Sequence, residues 1–300
     1  KMKKLMIMVA SFALVATFAL TAAADDQWNF YGSARVSTFV TDADVPGGTN
    51  DFAMGLQGNA RIGANVKVSD ELSGRFEYGS GPNLRLLYGT WNFGGGALTV
   101  GQVYTPLNMF MSNQVFGADT GLLDTGGVYS GRAPVLQVSF GSVKIAAVVP
   151  VATNNTTPTI EASYSLKLGP ASVAIAGGYD SEANAAGNDA YVLAASAALN
   201  FGAAYIKGDV YTGDNAEALI WTAGTGENNT GYLVVAGFKV NDMLSLEAGY
   251  GNAEGDTAEE YAYYVQAPIT LASGVYVIPE VGAQNDGDTT YFGAKWQINF

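Results

Sequence analysis

Tyr291-Phe292-Gly293-Ala294-Lys295-Trp296-Gln297-Ile298-Asn299-Phe300 is the stretch on which the reading of this chain turns. Phe292, Ala294, Trp296, Ile298 and Phe300 share one parity, and Tyr291, Gly293, Lys295, Gln297 and Asn299 share the other. Successive side chains of a strand point to opposite faces, so these residues form a strand with one apolar and one largely polar side. A soluble sandwich also alternates, but it rarely leaves a bare final Phe on the same face as Trp296 and Phe292.

The pattern recurs upstream. Trp28–Val40 sets Trp28, Phe30, Ala34 and Val36 against Asn29, Ser33, Arg35 and Ser37. Leu56–Val68 sets Leu56, Ala60, Ile62, Ala64 and Val66 against Gln57, Asn59, Arg61, Asn65 and Lys67. Leu72–Tyr78 opposes Leu72, Phe76 and Tyr78 to Ser73, Arg75 and Glu77, and Ile160–Leu168 repeats the scheme. With 84–93, 97–104, 132–140, 142–151, 171–180, 189–199, 202–211, 231–240, 244–251, 260–267, 275–284 and 290–300, sixteen strands are predicted. An even count lets the first and last strands pair antiparallel and close the sheet.

Alternate connections differ in length. Segments 41–55, 105–131 and 212–230 are long, whereas 69–71, 169–170, 200–201 and 241–243 are tight turns. Long loops on one rim and short turns on the other mark a transmembrane barrel, whose backbone groups are all satisfied between strands. The reading is therefore an all-β, sixteen-stranded antiparallel transmembrane β-barrel, apolar toward lipid. Lys144, Lys207, Asp209, Lys239, Glu247, Glu280 and Lys295 fall on the inward faces. Trp28, Phe30, Phe93, Phe140 and Phe201 are expected in a lower aromatic band, with Tyr104, Tyr179, Tyr211, Tyr250 and Tyr261 in an upper one. Pro279 falls inside a predicted strand, where it costs a ladder hydrogen bond unless a bulge absorbs it. The apolar run 216–223 reads as part of a folded upper hairpin; as a strand it would break the parity.

Residues 1–24 combine Lys1, Lys3 and Lys4, an apolar run from Leu5 to Leu20 and a small-residue site at Ala22-Ala23-Ala24. They read as a secretory signal peptide, leaving 25–300 as the barrel. Those 276 residues carry a net charge of −16, which argues against nucleic acid as a partner. The chain has no Cys and no His, which removes disulfides, His-dependent triads and His-bearing metal sites. No catalytic residue, metal or cofactor is expected.

Two segments carry a family likeness. Residues 85–106 run Arg85-Leu86-Leu87-Tyr88-Gly89-Thr90-Trp91-Asn92-Phe93-Gly94-Gly95-Gly96-Ala97-Leu98-Thr99-Val100-Gly101-Gln102-Val103-Tyr104-Thr105-Pro106. This resembles the hairpin of the fourth and fifth strands in the general diffusion porins of Gram-negative bacteria, with Gln102 where that family usually has Arg. Val115-Phe116-Gly117-Ala118-Asp119-Thr120 is similar to the Glu-Phe-Gly-Gly-Asp-Thr segment of the family's third loop, with Val115 in place of the acid.

The resemblance implies that loop 105–131 folds into the lumen and carries Asp119 and Asp124 to a constriction facing Arg35, Arg61, Arg75, Arg85 and Arg132. Opposed charges there sort solutes by size and sign. It further implies a homotrimer in the outer membrane, surrounded by lipid and lipopolysaccharide, with Phe300 read by the barrel-assembly machinery. The expected cargo is small hydrophilic solutes and ions. Overall charge predicts mild cation preference, which the local arginines could reverse. Two other readings stay open. A substrate-specific porin for sugars or an anion needs an aromatic slide or a basic ladder, whereas inward Tyr31, Tyr205 and Tyr264 are scattered. A structural or adhesion barrel would act through its loops. An enzyme is disfavoured because outer-membrane hydrolases of this kind use histidine.

Overall fold

The computed structural model describes residues 27–43, 50–81, 83–150, 156–183 and 187–300. The expected signal peptide 1–24 and parts of the connections 41–55, 152–159 and 181–188 lie outside the described residues.

The chain closes into an antiparallel barrel of sixteen strands. They are β1 (Trp28–Ala43), β2 (Asn50–Leu56, continued by Arg61–Lys67), β3 (Leu72–Gly79), β4 (Leu84–Asn92), β5 (Ala97–Tyr104), β6 (Arg132–Phe140), β7 (Val143–Val148) and β8 (Thr159–Leu168). The circuit continues through β9 (Ala171–Asp180), β10 (Ala190–Phe201), β11 (Ala204–Asp214), β12 (Asn229–Lys239) and β13 (Ser245–Glu254). It ends with β14 (Glu259–Gln266, continued by Ile269–Ala272), β15 (Val275–Gln284) and β16 (Thr289–Asn299). Ser33 to Ala43 of β1 pair with Asn299 to Thr289 of β16, and Gly32 and Phe300 exchange main-chain hydrogen bonds of 2.7 and 3.1 Å. The final decapeptide therefore seals the cylinder against Trp28–Ala43, and every strand has two neighbours.

Several strands depart from simple alternation, with register shifts at Glu77–Tyr78 of β3 and Thr270–Ala272 of β14 besides the irregularity in β2. β2 starts at Asn50 rather than at the expected Leu56, because Phe52, Met54 and Leu56 already alternate and pair with β1. Leu56 then faces Val36 while Arg61 faces Ser33, so residues 57–60 oppose only Ala34 and Arg35. This bulge re-aims the side chains it carries, Gln57 and Asn59. In β14 the register instead runs on unbroken, from Gln266 opposite Glu280 to Ile269 opposite Val277. No bulge absorbs Pro279. It shares its gap in the ladder with Ala267 and Pro268, and the Ala267 N–H still donates to its carbonyl at 2.9 Å. Two residues without an N–H are thus confined to one interruption.

The outward face is apolar, with Phe52 66%, Leu56 60% and Phe292 61% exposed, whereas Glu77 is fully buried. Trp28, Phe30, Phe76 and Tyr78 form one contiguous row of rings, and Trp91, Phe93 and Phe140 another. Tyr232, Tyr250 and Tyr261 make a third. Tyr104 and Tyr211, expected in the upper band, instead face inward. The Tyr104 hydroxyl meets Arg85 at 3.2 Å, and Tyr211 is buried with its hydroxyl 2.5 Å from Thr222.

Three buried apolar clusters lie between connection 105–131 and the wall. Leu107, Met109 and Val128 pack with Val192 of β10 and Tyr211 of β11; Leu122 packs with Leu233 of β12 and Tyr264 of β14. Phe116 stacks on Tyr291 of β16 at 3.8 Å between ring centres. The approach is close enough to require glycine at position 251, where a Cβ would fall 1.9 Å from the Thr125 carbonyl oxygen. Leu219 and Ile220 complete the first cluster, following a single 3-10 turn at Ala216–Ala218. Segment 216–223 is thus a folded loop, and the parity of the wall stands.

Candidate functional site

Inward alternation places Arg35 on β1, Arg61 on β2, Arg75 and Glu77 on β3, Arg85 on β4 and Lys295 on β16. Because β16 pairs with β1, these strands form one continuous arc of wall. The charges on it meet at two acids.

Glu77 is the first. It accepts hydrogen bonds from Arg85 Nε at 2.7 Å, Arg75 Nη2 at 3.1 Å and the Tyr31 hydroxyl at 2.7 Å, with Arg61 Nη1 at 3.5 Å. One buried carboxylate is thus shared by three guanidinium groups. The geometry offsets the desolvation of the acid, but leaves positive charge in excess.

Asp119 is the second. Its carboxylate is paired with Arg35 and with Lys295 Nζ, the latter at 2.8 Å. Gln57 Nε2 at 3.2 Å and Asn59 Nδ2 at 3.0 Å also donate to it, so the bulge in β2 supplies two of its partners. Locally, Gly117, Ala118 and Asp119 all have positive φ, at 59°, 66° and 63°. This left-handed run is unfavourable for Ala and Asp and swings the carboxylate to the wall. Around the two acids stand five cations, Arg35, Arg61, Arg75, Arg85 and Lys295.

Elsewhere on the wall, carboxylates hold the connection through its main chain. Glu161 of β8 accepts from Leu107 N at 2.8 Å, and Glu247 of β13 accepts from Asn113 N at 3.1 Å. Glu280 of β15 accepts from Val115 N at 2.7 Å and Phe116 N at 2.9 Å. Glu247 additionally receives the hydroxyls of Tyr205 and Tyr264 and Gln266 Nε2 at 2.9 Å. Carboxylates that accept main-chain N–H groups make charge-assisted bonds, which help fix a loop whose own ladder is limited to Asn108–Met109 against Val128–Tyr129.

A cavity of about 1020 Å³ runs through this region, lined among others by Arg35, Arg61, Arg85, Arg132, Asp119 and Lys295. Arg132 stands apart from both acids, its guanidinium 5.4 Å from the centre of the Tyr104 ring. Asp124 is not brought to the arginines. It is exposed, it accepts from the Thr125 hydroxyl at 3.2 Å, and its carbonyl receives Ala223 N at 2.8 Å. Glu77, Gln57, Asn59 and Lys295 join the site in addition to the residues expected from the sequence. Their inward parity was the available signal, since parity alone does not give register. Among the described residues no group of Asp and Glu could hold a metal ion.

A closed sixteen-stranded barrel with an apolar exterior and a charged interior is the architecture of the porins. Solved structures share it. The Salmonella typhi OmpF complex with daunomycin superposes with a TM-score of 0.69 at 13% identity, covering 91% of this chain and 97% of that one. An anion-selective porin from Comamonas acidovorans also gives 0.69, at 12% identity, covering 91% and 99%. The trimer form of OmpT, an outer membrane protein of Vibrio cholerae, gives 0.62 at 18% identity, covering 91% and 99%. No family model matches the sequence, and no curated protein does. The likeness is one of fold.

Proposed function

We propose that the protein is an outer-membrane porin, a water-filled channel for passive diffusion of small hydrophilic solutes and ions. The observation that carries this reading is the pairing of an apolar outer surface with a charge-lined cavity inside a closed barrel. Loop 105–131 narrows the lumen, and Asp119 facing Arg35 and Lys295 sets the charge of the constriction. Five cations against two carboxylates support a preference for anions, the reverse of what the net charge of the chain predicts. Arg132 adds to that surplus, whereas exposed Asp124 contributes little. A homotrimer is supported by the trimeric form of a barrel with this fold. Its surroundings would be outer-membrane lipid and lipopolysaccharide. The pairing of Phe300 with Gly32 suits the closing strand that assembly machinery would read.

Planar-bilayer recording tests the proposal. Purified, folded protein should give stepwise ohmic conductance, and a salt gradient should give a reversal potential of the anionic sign. A folded barrel without conductance overturns the channel; a cationic sign overturns the assignment of selectivity.

A further inference from the structure

Four aromatic side chains from separate parts of the chain meet inside the cavity. Tyr104 ends β5, Phe110 and Tyr129 belong to loop 105–131, and Trp221 belongs to the loop between β11 and β12. Their ring centres lie 5.2 Å apart for Tyr104 and Phe110, 5.8 Å for Phe110 and Tyr129, and 5.0 Å for Tyr129 and Trp221. The packing is edge to face, which joins the rings into one surface but leaves faces open. Phe110 remains 53% and Trp221 55% exposed. Large apolar rings turned toward a charged, water-filled space gain nothing from burial there, so the surface suits a flat apolar visitor.

The same surface has a cation without a carboxylate. Arg132 lies directly across the β5–β6 ladder from Tyr104, with its guanidinium over that ring. Its Nη1 is sealed from solvent and unpaired among the described residues, while the side chain as a whole is only partly buried and lines the cavity. Arg61, Arg75 and Arg85 share Glu77, and Arg35 has Asp119. An oxyanion reaching the partly exposed guanidinium therefore meets no competing carboxylate, unlike one approaching the neighbouring arginines.

We propose that this surface is a binding subsite for small aromatic carboxylates, the ring lying on Phe110 and Trp221 and the carboxylate accepting from Arg132. A neutral sugar could cover the rings but would bring no negative charge to Arg132. An inorganic anion would satisfy Arg132 and leave the rings in water. Only a planar organic anion meets both demands. The subsite deepens the channel reading by naming a solute class, and relies on it only for access from outside.

Fluorine NMR of para-fluorobenzoate with the full-length protein folded in detergent tests the subsite without requiring ion flow. Saturable broadening, competed by benzoate and much weaker for cyclohexanecarboxylate as competitor, is the expected result. Arg132→Gln and Trp221→Ala should each weaken binding about tenfold, with folding verified by circular dichroism and heat-modifiable gel migration. Absent saturation on a folded barrel, equal competition by cyclohexanecarboxylate, or unchanged binding in both folded variants would overturn it. Absent binding with intact conductance in potassium chloride removes the subsite and leaves the channel. Intact binding without conductance does the reverse.

Discussion

Lys295 Nζ stands 2.8 Å from Asp119 Oδ1, joining the last wall strand to a loop 176 positions earlier in the chain. Arg35 of the neighbouring strand pairs with the same carboxylate. Asp119→Asn removes the charge but not the shape, leaving both cations uncompensated. The reversal potential in a potassium chloride gradient should move further toward that of chloride. Asp124→Asn, at an exposed site away from the arginines, should leave it unchanged. Equal effects from the two substitutions would refute the placement of the constriction charge.

Glu77 balances three guanidinium groups from a fully buried position. Breaking a buried ion pair from one side costs about 3–5 kcal/mol. Glu77→Gln should therefore lower the urea midpoint of the folded barrel clearly, and adding Arg75→Gln should recover part of the loss. A single variant as stable as wild type would show that the cluster is solvated rather than buried.

Glu280 receives the adjacent amides of Val115 and Phe116. Glu280→Gln replaces one acceptor with an NH₂ group facing those donors, a local cost of about 1–3 kcal/mol. Amide exchange at Val115 and Phe116 should accelerate about tenfold or more, while the β1–β16 ladder stays protected. Unchanged exchange would mean that packing of Phe116 on Tyr291, not the carboxylate, holds the loop.

Ala118 adopts a φ of 66° without the freedom of glycine. A left-handed conformation costs an L-residue roughly 1–2 kcal/mol. Ala118→Gly recovers part of this, offset by the greater freedom of Gly in the unfolded chain. The loop should retain its Asp119 contacts, with a small rise or no change in thermal midpoint. A marked fall would show that the Ala methyl contributes packing.

At the turn-bearing rim, Lys67 lies 2.7 Å from Asp70 and Lys239 lies 2.7 Å from Asp242. A hydrogen bond and the charge of each lysine hold both carboxyls below the usual carboxylate range. The folded-state value is depressed, so any stabilisation is present at neutral pH and disappears as pH falls through the lowered midpoint. Full exposure keeps that contribution small. Carboxyl NMR titration should find both midpoints low, and Lys239→Gln should return Asp242 alone to the ordinary range.

Much of the wall was legible because face depends only on local parity. Arg35, Arg61, Arg75 and Arg85 could be placed inside from their neighbours, as could Glu247, Glu280 and Lys295. Strand ends were less legible. Asn50-Asp51 looks like loop, yet β2 begins there because Phe52 and Met54 find outward places beside β1. Pro279 reads as a defect in a strand, but its gap coincides with that of Pro268 across the ladder. Tyr104 reads as an interfacial aromatic, but its position beside Arg85 and Arg132 turns it into part of the inner surface.

By itself the sequence determined sixteen alternating segments, their closing pair and the two faces of the wall, since a period of two needs no distant contact. It could not say which inward charges meet. That was decided by register around the cylinder, by the bulge at 57–60 and by the left-handed turn at Gly117–Asp119. These bring Gln57, Asn59, Arg35 and Lys295 to one carboxylate while leaving nearby Asp124 in solvent. Parity fixes the direction of a side chain, but only the closed barrel and the course of its long loop fix the partner that side chain finds.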